Sequence, residues 1–244
     1  MSRSIWKSRA VKVLAGQMLA VAIITILRDT NYSPWALFYR LGLDRTPVAV
    51  KEQVDSVLVH FDEVKFKNLD ADYLTQSGAD AAKYKKLLKD KSYYIMDKKD
   101  LYRKIAGDFE IRDFVCKAER KNKKIYWLVD KMLIYKTIEL QNTLADKGYD
   151  PNAFSINSGH RHPKENDRVG GAYQSRHLVG QAIDITVRDI NKDGKVTDLD
   201  KKIVYDLLDK KIIGRRGGIG RYPNTMVIHY DVRGHKARWD NYKR

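Results

Sequence analysis

The 244 residues carry 47 Lys and Arg against 31 Asp and Glu, a formal charge of +16, with 43% hydrophobic residues and a single cysteine. That balance excludes a disordered chain of low hydrophobicity, an intramolecular disulfide and a cysteine-based metal cluster. The charge attracts polyanions such as nucleic acid, anionic lipid or an acidic cell-wall polymer. No zinc-finger spacing, RNA-recognition signature or glycine-rich phosphate loop accompanies it, so nucleic acid is not expected as a partner.

In chain order, residues 1–12 hold Arg3, Lys7, Arg9 and Lys12 and no acid, and the apolar run VLAGQMLAVAIITIL follows at 13–27. A basic flank before about fifteen apolar residues predicts an export signal or an uncleaved membrane anchor over 1–28, short of the about 20 residues that a spanning helix wants. With the basic end inside, the remainder lies outside the cytoplasmic membrane. Residues 29–125 read as a connector containing Pro34 and Pro47, then a lysine- and tyrosine-rich basic accessory region. Within it, 79–91 is predicted helical and 57–66 alternates as a strand or irregular edge. No motif there assigns a function.

From residue 126 the pattern sharpens. Apolar residues at three- and four-residue spacing predict a helix over 127–148 that stops at Gly148. Strands are expected at 153–159, 180–187 and 226–233, a helix at 198–213, and a glycine-rich loop at 214–223. The fold class is α+β: a small antiparallel sheet carrying a metal site, with helices packed on it. The N-terminal apolar helix and the basic accessory region precede it.

Five of the six histidines, His160, His162, His177, His229 and His235, fall between 160 and 235. Neutral imidazole is the commonest protein ligand for zinc, and aspartate can complete a set. In SRHLVGQAID (175–184), His177 enters a strand that holds Asp184. His229 and Asp231 lie two apart on another strand, so both face one side. Three protein ligands would leave the fourth zinc position open, as in a hydrolytic site.

Ser175-x-His177-x-x-Gly180-x-Ala182-x-Asp184, with Ser158-Gly159-x-Arg161 before it and HYDVRG and RW after it, resembles the M15 zinc peptidases. These are D-alanyl-D-alanine carboxypeptidases and murein endopeptidases that share a fold with the hedgehog signalling domain. The resemblance covers 126–244 and implies that His177, Asp184 and His229 bind zinc. It makes Arg161 a catalytic or substrate-binding group and Ser175 a substrate contact. Carboxypeptidase branches place an acid three residues before the last histidine, where this chain has Met226. Asp231, in the H-x-D ending of the murein-hydrolase branch, is then the general base or a positioning partner. His160, His162 and His235 read as structural or pocket-lining, and Gly180 and Ala182 as tight packing beside the metal strand.

DINKDGKVTDLD (189–200) has the spacing of an EF-hand loop, with Asp189, Asn191, Asp193, the Lys195 carbonyl and Asp200 as calcium ligands and Gly194 at the turn. The chain is therefore expected to be an exported, membrane-anchored zinc peptidase, with calcium as a second ion. Its expected substrates are peptidoglycan stem or cross-link peptides, with endopeptidase action favoured over carboxypeptidase action. The rivals are a non-catalytic zinc-containing peptide or cell-wall binding module, and a basic nucleic-acid binder centred on 51–125.

Overall fold

The computed structural model describes residues 47–240. The expected signal or anchor at 1–28 lies outside them. Among the described residues no helix is long and apolar enough to cross a membrane.

The accessory region forms a layer. Helix α1 (Val48–Leu58) leads to β1 (Asp62–Lys65), so the alternation at 57–66 is half helix end and half strand. Helices α2 (Ala71–Ser77) and α3 (Ala82–Leu88) follow, the latter inside the predicted 79–91 helix. Strand β2 (Ser92–Asp97) pairs antiparallel with β1 and with β5 (Lys124–Trp127), giving the order β1-β2-β5. Between them lie the short hairpin β3 (Lys104–Ala106) and β4 (Phe109–Glu110) and the turn of helix α4 (Ile111–Phe114).

Strand β5 is apolar beyond its first residue because both its faces are covered. Ile125 and Trp127 enter the main core, whereas Tyr126 and the following Leu128 enter a second core with Tyr73, Tyr84 and Tyr93. The domain boundary expected at residue 126 falls inside this strand. The main core joins Val50, Val54 and Leu58 of α1 to Ile228 and Tyr230 near the end of the chain.

Helix α5 (Lys131–Asp146) begins four residues later than its pattern predicts. Trp127 belongs to β5, and Asp130 caps the helix by accepting a hydrogen bond from Met132 N at 3.1 Å. Every residue from Met132 to Ile138 is buried, so α5 runs between layers rather than along a surface. Gly148 leaves the helix with φ +78°, as expected of a glycine stop.

The second sheet has the order β10-β8-β9-β7-β6. Its strands are β6 (Phe154–Ser158), β7 (Ala182–Val187), β8 (Gly218–Arg221), β9 (Val227–Asp231) and β10 (Ala237–Asp240). Two expectations are corrected here. The glycine-rich stretch 214–223 contains β8, because a Cβ on Gly218 or Gly220 would lie 2.3 Å from the Asp231 carboxylate or 2.5 Å from the Trp239 ring. Those glycines admit close neighbours within a sheet; they do not mark a loop. The sheet is also not wholly antiparallel, since β10 runs parallel to β8. Helix α6 (Pro163–Arg168) follows β6, and α7 (Asp198–Leu207) packs across β7 and β9. Ile183, Ile185, Ile228 and Tyr230 point into the core from one face of β7 and β9. Period-two alternation puts Asp184 and His229 on the other face, and the register sets them opposite each other.

Candidate metal centre

His177 lies on a single 3-10 turn, Arg176–Val179. Ser175 caps the turn, its Oγ accepting from His177 N at 3.4 Å, and Gly180 ends it with φ +66°. Leu178 and Val179 are buried in the second core, against the tyrosines of the accessory layer. The basic region thus fixes the backbone that carries His177.

His177 Nε2, Asp184 Oδ1 and His229 Nδ1 converge. Their separations are 3.3 Å (His177–Asp184), 3.2 Å (His177–His229) and 2.8 Å (His229–Asp184). Donors about 2.0–2.1 Å from one tetrahedral zinc are spaced about 3.3 Å apart, so the triangle has the right size. Among the described residues this is the group of three side chains with ligand atoms close enough to hold an ion, and all three are buried.

The surroundings also fit a metal. His177 Nδ1 lies 2.7 Å from Gly159 O and donates to it, which leaves Nε2 as a bare lone pair. His229 Nε2 lies 3.3 Å from Asp231 Oδ2 and donates there, which frees Nδ1. Two bare imidazole nitrogens and a carboxylate oxygen facing one another call for a cation between them, and partners that fix the tautomer are what ligating histidines require.

Electrostatics distinguish the two rings, and on His229 a cation in the triangle would take the place of a proton on Nδ1. Burial holds the His177 pKa below the ordinary histidine value, so the ring is neutral. Burial acts the same way on His229, but hydrogen bonds to Asp184 and Asp231 outweigh it and push that ring up to about 8. Burial raises the Asp184 pKa, yet the two histidines together hold it well below the carboxylate range.

Arg161 is brought to the site. Its guanidinium donates to Asp184 Oδ2, and its Nε donates to Ser158 Oγ at 2.7 Å. It lines a cleft of about 790 Å³ together with Ser175, His177, Asp184, His229 and Trp239. Asp231 lies beneath, fully buried, on the ring nitrogen of His229 that faces away from the triangle. Arg233 holds it through Nε (2.8 Å to Oδ1) and Nη2 (2.6 Å to Oδ2), and Gly218 N adds a bond of 3.0 Å. Sequence reasoning missed Arg233; its place two residues past Asp231 on the same alternation was the available signal. Met226 packs against the main core, on the opposite alternation from Val227 and His229, which line the cleft.

His160, His162 and His235 do not join the triangle. His160 is buried edge-on to Tyr93. The Nδ1 of His162 caps α6 by accepting from Glu165 N at 3.1 Å, and His235 is exposed on the turn before β10. Nε2 of His162 lies 3.8 Å from the buried Glu119 carboxylate. Burial, opposed by Asn122 and Lys121, pushes Glu119 up from 4.5 to about 7. A carboxylate raised in this way favours folding while protonated, so its contribution is full below pH 4.5 and is lost as pH rises through 7. Urea denaturation at pH 5 and pH 7.5 is expected to give a difference smaller by up to about 3 kcal/mol in Glu119→Gln than in the wild type.

Asp189, Asn191 and Asp193 gather on one turn, where Asn191 Nδ2 donates to Asp193 Oδ2 at 2.9 Å. Asp200 does not join them. Its Oδ1 accepts from Ile190 N and Asn191 N, and its Oδ2 accepts from Thr197 N and Oγ1 at the start of α7. The twelfth loop position therefore braces the helix start, a role that loop spacing alone does not reveal.

A family model described as Peptidase M15 matches residues 108–231, half of the chain, a span that contains the whole triangle. No curated protein and no solved structure matches. The match and the His177, Asp184 and His229 triad agree: the chain belongs to the peptidase M15 family, a family of zinc-dependent metallopeptidases.

Proposed function

We propose that the protein is a zinc peptidase that hydrolyses peptidoglycan stem or cross-link peptides outside the cytoplasmic membrane, held there by its N-terminal segment. The convergence of His177 Nε2, Asp184 Oδ1 and His229 Nδ1 at the wall of an open cleft carries this reading. Zinc bound there supplies Lewis acidity to an amide carbonyl and to water. The chain's own groups do the rest. Asp231 fixes the His229 tautomer, and Arg161 donates to Asp184 Oδ2 while presenting its remaining donors to the cleft, where they bind the peptide. The net charge of +16 suits an anionic wall polymer, and the His229-Tyr230-Asp231 ending supports endopeptidase over carboxypeptidase action.

One observation favours a second reading, a non-catalytic peptide-binding module: Asp184 is the only carboxylate among the described residues that line the cleft. Metal analysis of the purified full-length protein, with digestion of isolated peptidoglycan followed by mass spectrometry, separates the two. We expect one zinc per chain and release of defined peptides by the wild type, and loss of both in His177→Ala. Zinc without release would replace catalysis by binding, and no zinc would end both readings. The same metal analysis tests calcium at the Asp189–Asp193 turn; zinc alone would retire that proposal.

A further inference from the structure

Three arginines line the cleft: Arg161, Arg176 and Arg233. Two of them are engaged, Arg161 with Asp184 and Arg233 with Asp231. Arg233 also stacks over the Trp239 ring, 5.2 Å from its centroid. Arg176 differs. Its side-chain hydrogen bond runs to the neutral amide of Gln181, Nη1 to Oε1, at a long 3.4 Å, and no carboxylate among the described residues pairs with it. Arg233 and Lys91 repel it, and the nearby negative charge of Asp231 is already held by Arg233.

Arg176 is half-buried at the start of the 3-10 turn Arg176–Val179. Its carbonyl accepts from Gln181 N at 2.9 Å, and the turn it begins is anchored by Leu178 and Val179 in the second core. A guanidinium that has lost part of its hydration without gaining a counter-charge costs free energy. An anion bound beside it recovers that cost, and the planar fork suits a carboxylate. Arg176 directly precedes His177, so an anion it holds adjoins the metal triangle.

We infer that Arg176 is a specificity-determining residue: it receives a free carboxylate of the bound peptide in a subsite next to His177, flanked by Arg233 and Trp239. The inference rests on the peptidase reading and deepens it by naming the substrate class, peptides carrying a carboxylate beside the bond that is cut. The bland alternative is an arginine whose stem merely covers apolar surface.

The test uses the zinc-loaded full-length protein and two probes. One is a peptidoglycan-derived pair of cross-linked stem peptides with its carboxylates free; the other is a set of the same molecule with each carboxylate in turn converted to the amide. Calorimetric Kd values and cleavage rates are measured for both at low salt. The wild type is expected to bind the free acid about tenfold or more tighter than one of the amides, as a charge-assisted bidentate bond implies. Arg176→Gln is expected to reduce that ratio to within about twofold, and Arg176→Lys to retain part of it, with zinc content and Tm unchanged in both. Equal binding of acid and amides by the wild type would overturn the inference whatever the variants do. So would an undiminished ratio in a folded, zinc-loaded Arg176→Gln. Cleavage of every amide as fast as the acid would overturn it while leaving the peptidase reading intact. Binding and cleavage of no peptide at all would remove both together.

Discussion

Asp231→Asn is expected to weaken zinc binding about 10–100-fold and to lower stability by about 3 kcal/mol. The wild-type carboxylate accepts five hydrogen bonds and donates none: Gly218 N, the Arg233 backbone and Nε on Oδ1, and Arg233 Nη2 and His229 Nε2 on Oδ2. An amide must turn its NH2 toward one of these two sets of donors. If it faces His229, the ring is driven to carry its proton on Nδ1, the nitrogen that the triangle needs. If it faces Gly218 and Arg233, two buried backbone donors lose their acceptor. Competition against a chromophoric chelator measures the affinity, and urea denaturation of the zinc-free protein measures the stability. The same variant decides the role of Asp231 in turnover. As a positioning residue its loss leaves peptide cleavage within about tenfold of wild type once zinc is saturating; as the general base it would cost at least about a hundredfold under the same condition. The geometry, with the imidazole interposed between Asp231 and the triangle, points to the first result.

The triad was legible because it is a local feature repeated in the fold. His177 and Asp184 share one turn-and-strand segment, and His229 needs only the neighbouring strand in register to meet them. What surrounds them was not legible. The partner of His177 is a backbone carbonyl, Gly159 O, which has no side-chain signature. Met226 stands where carboxypeptidase branches place an acid, and strand alternation turns it to the core, which its identity alone does not reveal. The glycines of β8 look like a loop because sequence gives no hint that Asp231 and Trp239 press on them from neighbouring strands. The accessory region gave no motif at all. Its contribution is a long-range contact, the packing of Tyr73, Tyr93 and Tyr126 on Leu178 and Val179, which no local pattern encodes.

That contact makes Gly180 the most exacting position in the motif. Gly180→Ala is expected to cost about 3 kcal/mol or more and to lower zinc affinity at least about tenfold, whereas Gly148→Ala, at a similar backbone angle, costs about 1 kcal/mol and leaves zinc binding unchanged. The two residues share the left-handed conformation, φ +66° and +78°, so each pays the same strain for a Cβ. They differ in what the Cβ meets. At Gly148 nothing lies within 4 Å, but at Gly180 the new atom would sit 2.3 Å from Leu128 O and 2.7 Å from Val129 Cα. Those are backbone atoms, just beyond β5, so no rotamer change relieves the clash. Relief requires that the turn carrying His177 move away from the accessory layer, and Asp130 N, 2.9 Å from Gly180 O, moves with it or loses its acceptor. His177 Nε2 is then displaced relative to Asp184 and His229, which the sheet holds fixed. Urea denaturation and zinc content of the two variants, measured side by side, separate the shared strain from the site-specific clash; equal losses in both would mean that the accessory layer does not set the position of His177.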